Sequence, residues 1–135
     1  MKITYGYLKE FLDNPEEYGA IKTGSNLFEV DSENSDIDYF ITEEDWYKIN
    51  PEIIKIFFEQ DWYKDNLFNS VHFKYNNKIY NILVMGGLEF ICWKFATDMF
   101  LKMMDSKYFR KIIIDKDKRV ELFEFFKNNC REIRK

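Results

Sequence analysis

Residues 23–42 read TGSNLFEVDSENSDIDYFIT, and the fold turns on how that stretch is parsed. A Gly24-Ser25 pair opens it, Asp36 follows Ser25 by eleven positions, and Asp38 comes two later. From Asp36 to Thr42 the residues alternate and are rich in β-formers, which predicts a strand. Side chains two apart on a strand share a face. Asp36 and Asp38 therefore stand side by side, with Cα atoms about 7 Å apart at a rise of ~3.3 Å per residue. Two carboxylates that close repel each other unless a cation lies between them or one takes up a proton. Magnesium is held by one or two carboxylates and completed by substrate phosphates. The Gly-Ser turn upstream offers backbone N–H groups and a hydroxyl to a phosphate.

Gly24-Ser25, a short spacer and Ser35-Asp36-Ile37-Asp38 together resemble the signature of the nucleotidyltransferase superfamily. That superfamily includes DNA polymerase beta, kanamycin nucleotidyltransferase and the minimal nucleotidyltransferase antitoxins. The resemblance is specific over Thr23 to Ile41, weaker to about Met104, and fades beyond. Asn26-Leu27-Phe28 is similar to a variant of small phage and bacterial members, although Glu29 falls where many of them carry glycine. The resemblance implies an α/β (α+β) fold: a small mixed β-sheet of about four strands, helices mainly on one face, and C-terminal helices completing the core. It implies that Asp36 and Asp38 hold Mg2+ or Mn2+, and that Gly24, Ser25 and Ser35 bind a nucleoside triphosphate.

The 135 residues suit a single domain, 1–135, with a core over about residues 18–104 and a C-terminal helical part over 105–135. Hydrophobic residues make up 46% and aromatic residues 19%, enough to fill a core. No apolar run reaches the roughly 18 residues of a membrane helix. The start, MKITYGYLKEFLD, lacks the apolar centre of a signal peptide. Cys92 and Cys130 lie far apart and match no metal spacing, which suits a reduced, cytoplasmic protein. A net charge of −4 gives no global attraction for nucleic acid. The last third is more basic, with Lys116, Lys118, Arg119 and Lys127 among its cations. Acids alternate with them, which favours a solvated helical face over a phosphate-binding patch.

Residues 5–12 predict a short amphipathic helix, stopped at Asp13-Asn14-Pro15. Tyr18 to Thr23 predicts a strand that delivers the Gly24-Ser25 turn, and 26–30 a helical turn with Leu27 and Phe28 inward. Thr42-Glu43-Glu44-Asp45 is a helix start, with a hydroxyl cap and carboxylates in the first turn. Asn50-Pro51 marks a break and a new helix bearing Ile53, Ile54, Phe57 and Phe58. Ser70 to Tyr75 and Ile79 to Met85 flank Asn76-Asn77-Lys78 and predict a hairpin. Helices are expected over 88–104, 106–114 and 117–134.

Members of the superfamily usually supply a third acid from a later strand. Here the polar position within the apolar run 78–85 is Asn81. Strand alternation puts it on the face of Ile79 and Leu83, and it is expected beside the acid pair. An amide can ligate through its oxygen but cannot take a proton near neutral pH. Asn81 with a water, a substitute acid such as Glu89 or Asp98, or a retained fold without the chemistry all remain open. His72, the sole histidine, reads as a surface strand residue, and Lys74 as an exposed lysine. Trp93 reads as core rather than as a platform for a base. Lys94 is a secondary candidate for nucleotide binding, because the helix after this strand can line the superfamily's cleft.

Two functions follow. One is a nucleotidyltransferase moving a nucleoside monophosphate from a triphosphate to a small molecule, an RNA end or a protein side chain. The other is a degenerate domain of the same fold serving as a binding module: an antitoxin, an inhibitor or a phage–host interaction protein.

Overall fold

The structure, a computed structural model, describes residues 10–30, 36–49, 68–75 and 77–133. Ser35, the loop before Asp36, the helix expected after Asn50-Pro51 and most of the N-terminal helix lie outside these residues.

The sheet has four strands: β1 (Ile21–Thr23), β2 (Ile37–Thr42), β3 (Phe68–Tyr75) and β4 (Lys78–Met85). They pair in the order β1-β2-β4-β3. β2 and β4 run parallel at the centre, and each edge strand is antiparallel to its neighbour. This is a mixed sheet with helices, an α/β domain as the sequence predicts. The β3–β4 hairpin closes at the pair Tyr75↔Lys78, with Asn77 at φ +63, a left-handed position that asparagine tolerates.

Between β1 and β2 the chain makes one helical turn, α1 (Gly24–Leu27), which starts at the Gly-Ser pair itself. Glu29 closes it at φ +58, a conformation that favours glycine. Behind it Phe28 is buried. The helix α2 (Glu43–Ile49) starts where the sequence places its cap: the Asp45 N–H donates to Thr42 Oγ1 at 3.1 Å. Gly86 precedes α3 (Gly87–Met103), followed by α4 (Lys107–Ile114) and α5 (Lys116–Ile133). Ser106 caps α4, accepting from the Phe109 N–H at 3.3 Å.

Among the described residues helices pack on both faces of the sheet, with α3, α4 and α5 on one side and the shorter α2 on the other. Ile41, Ile82 and Val84 point to a face covered by Phe11, Leu12 and Trp46 of α2. Phe40, Leu83 and Met85 point to the opposite face, packed by Phe90 and Trp93 of α3. The reason lies in β2 and β4, which are apolar on both sides and so need cover on both. A third cluster joins Phe28 to Phe100, Phe109 and Ile113, with Phe123 and Phe126 of α5 against it. This cluster anchors the C-terminal helices over the acid-bearing side of the sheet.

Candidate functional site

Strand register builds the site. Thr23 pairs with Asp38, Asp38 with Asn81, and Asn81 with His72, so these four form one row across the sheet. Directly opposed residues present their side chains to the same face. Asp36, one step before β2, lies at the same end. Both carboxylates border a cavity of about 840 Å³ together with Thr23, Gly24, Ser25, Ser70 and Asn81.

Gly24 is required by this arrangement. Its φ of +81 is a left-handed conformation, and any side chain there would collide with the Asp38 carboxylate. Thr23 is buried and shares a 2.9 Å hydrogen bond with Thr97 of α3, which ties the edge strand to that helix. Ser25 follows Gly24 into α1 and faces the cavity.

Burial pushes the Asp38 carboxyl from 3.8 up to about 6, and the neighbouring Asp36 charge pushes the same way. A hydrogen bond from Asn81 and the nearby His72 pull it down. The Asn81 side chain is engaged at both ends, because the Ser70 hydroxyl donates to its Oδ1 at 2.5 Å. Asn81 thus occupies the predicted place, on the neighbouring strand and the same face, and serves Asp38 as a donor. His72 lies beside the acids, with Nε2 3.5 Å from Asp36 Oδ2. Its side chain is 54% exposed, as a surface histidine should be, but it belongs to the acid cluster, which the sequence reading had not expected.

Other expected residues fall elsewhere. Lys94 is exposed on α3 and does not border the cavity, whereas its neighbour Trp93 does. One helical step turns a side chain by about 100°, enough to take it off the site. Neither proposed substitute acid reaches the pair. Asp98 is exposed, and Glu89 is buried in an ion cluster with Lys127 and Arg131. Lys116 and Arg119 of α5, read from the sequence as part of a solvated face, do line the cavity. The signal was present in their spacing, but nothing in a sequence says which element a helical stripe faces. Cys92 and Cys130, distant in sequence, meet as buried free thiols; burial and the Cys130 thiol push Cys92 up to about 11.

Carboxylate oxygens are the donor type that a hard divalent cation takes. Asp36 and Asp38 supply carboxylate oxygens on one cavity wall, and burial first, then the Asp36 charge, raises the pKa of Asp38. No group of three or more His, Cys, Asp or Glu among the described residues could hold a metal alone. Water and a phosphate-bearing ligand would complete the shell, which is how magnesium is usually held. Among the described residues no helix is long and apolar enough to cross a membrane. Comparison with known proteins adds no family: no family model, curated protein or solved structure gives a significant match to this chain.

Proposed function

We propose that this cavity binds a nucleoside triphosphate with Mg2+ or Mn2+, and that the chain is a nucleotidyltransferase-like domain transferring the nucleoside monophosphate to a hydroxyl as the α–β phosphoanhydride bond breaks and pyrophosphate leaves. The observation that carries the reading is the setting of Asp38. It is opposed in register by Thr23 and Asn81, pressed against Gly24, and opens with Asp36 onto a cavity of about 840 Å³. That size falls within the ~300–1,000 Å³ typical of small-molecule sites.

Asp36 and Asp38 would hold the cation, which when bound supplies neutralisation of charge on the phosphoryl oxygens during an in-line exchange. Asn81 orients Asp38 through its amide, and His72 sits against Asp36. Gly24 lets the Asp38 carboxylate close on the backbone, and the Ser25 hydroxyl can donate to a phosphate. The acceptor is a small molecule, an RNA end or a protein side chain. The buried free thiols of Cys92 and Cys130 support a reducing, cytoplasmic setting.

Asn81 also favours a second reading, a domain that binds the nucleotide without turning it over. An amide held by Asp38 and Ser70 cannot accept a proton from the attacking hydroxyl. One experiment separates the two. Calorimetry with a nonhydrolysable triphosphate and magnesium should show binding to wild type and its loss in Asp36→Asn. Labelled nucleoside triphosphate with cell lysate should then show label on an acceptor if the chain is an enzyme, and none if it only binds. Equal binding by wild type and Asp36→Asn would sink both readings of the acid pair. Transfer that appears only in Asn81→Asp would identify a lost third acid.

A further inference from the structure

The cavity has a second wall with no counterpart in the acid motif. Helix α5 contributes Lys116, Arg119, Val120 and Phe123 to it. Residues spaced three, four and seven apart share one face of a helix, so these form a single stripe. The stripe is graded. Its N-terminal end carries two cations, and further along it becomes apolar, continuing into Trp93 and Phe100 of α3. The ring centroids of Trp93 and Phe100 lie 5.0 and 5.4 Å from that of Phe123. Val120 stays 51% exposed although it borders this cavity, an apolar surface that a ligand could cover.

The cations are placed for an anion. Arg119 donates one guanidinium N–H to the Ile113 carbonyl at 2.8 Å, which fixes the group at the α4–α5 junction. A guanidinium has five donors in a planar fork, so one bond leaves capacity for a phosphate oxygen. The acid in the same wall, Glu124, is drawn aside by Lys127 at 2.7 Å. An anion held near Asp36 and Asp38 alone would meet two carboxylates, and fixed cations elsewhere in the cavity offset that repulsion.

We propose that Lys116 and Arg119 form a polyphosphate-binding wall, taking the phosphates remote from the acid pair, with the exposed Val120 beside them. This assignment rests on the nucleotide reading above. It adds the C-terminal helix to the site and makes the ligand's polyphosphate tail, not its base, the main source of affinity.

The test is calorimetry on the full chain with three probes, each with magnesium: a nonhydrolysable nucleoside triphosphate, inorganic tripolyphosphate and the bare nucleoside. Lys116→Ala should weaken both phosphate-bearing probes by about tenfold. Lys116→Glu should weaken them further, and nucleoside binding should not change. Lys116 is exposed, so these variants should fold as wild type does, whereas Arg119→Ala also removes the bond to Ile113. Arg119→Lys, which keeps the charge and loses the fork, should give an intermediate loss. If wild type binds the triphosphate and Asp36→Asn abolishes binding, but the Lys116 variants bind as wild type does, the wall is refuted and the nucleotide site stands. If wild type binds neither phosphate probe, wall and site fall together.

Discussion

Asp38 carries a cost to the fold. Folding raises its pKa from 3.8 to about 6, first through burial and then through Asp36. The folded chain therefore holds a proton that the unfolded chain releases between those two values. The sign of the linkage follows: the contribution of Asp38 to stability is greatest below about pH 4 and falls as pH rises through about 6, where the carboxylate must be charged in a partly buried place. Asp38→Asn is neutral throughout and close in size. Its unfolding free energy in urea should exceed that of wild type near pH 8 by about 1 kcal/mol after allowance for the solvated part of the carboxyl, and match it near pH 4. A pH-independent difference between the two proteins would mean that Asp38 ionises without cost. At this scale the sequence was informative where geometry is local. Two acids two apart on a strand, an asparagine in an apolar run and a glycine before a serine all have consequences that strand alternation or steric size dictates. His72 was harder to place, because its closeness to Asp36 depends on β3 pairing with β4, a long-range fact.

Among the elements, α3 and α5 pack through a buried ionic cluster as well as through aromatic rings. Glu89 is 6% exposed and Lys127 2%. Glu89 accepts from Arg131 Nη2 at 2.5 Å and from Trp93 Nε1 at 3.0 Å, and it pairs with Lys127 at 3.6 Å. Lys127 also lies 4.3 Å from the centre of the Trp93 ring. Removing one member of a buried pair leaves the other charged and uncompensated, a loss of about 3–5 kcal/mol. Glu89→Ala should fall near the lower end, because Lys127 keeps Glu124 at 2.7 Å. Denaturant unfolding would measure it. The double change Glu89→Leu with Lys127→Met should recover much of the loss, since an apolar pair can replace a buried ionic one. A double variant less stable than either single one would count against this account. Helix boundaries here were legible in the sequence to within a residue or two, from the Thr42 and Ser106 caps and the glycines at 86 and 87. The partners were not. Periodicity marks a stripe but not what it meets: Lys94 is a candidate only through the resemblance, and no pattern says that Lys116 and Arg119 face the cavity or that Cys92 meets Cys130. The apolar runs in β2 and β4 call for cover on both faces, and the heavier helical layer, α3 to α5, lies on the acid-bearing one.

At the scale of the whole molecule, the cavity lies where two structural units meet. Thr23, Asp38, Ser70 and Asn81 come from four different strands, while Trp93 and Phe123 come from the helices packed over that side. The helices touch the sheet mainly through Phe40 with Phe90 and Trp93, and through the Thr23–Thr97 hydrogen bond. A ligand that spans the cavity adds a further connection, and anything that binds only the folded chain stabilises it by mass action. At a concentration one hundred times Kd the gain is about 2.7 kcal/mol. In a domain of this size that corresponds to a rise in melting midpoint of roughly 5–12 °C. Nonhydrolysable triphosphate with magnesium should therefore raise the midpoint by that amount. Magnesium alone should do much less, because without phosphate its shell is mostly water. Triphosphate alone should do less than the combination, because only the cations of α5 then offset the charge on Asp36 and Asp38. Asp36→Asn should remove the response to the combination. A shift of equal size from triphosphate without metal would assign binding to the cations of α5 and leave the acid pair with no part in it.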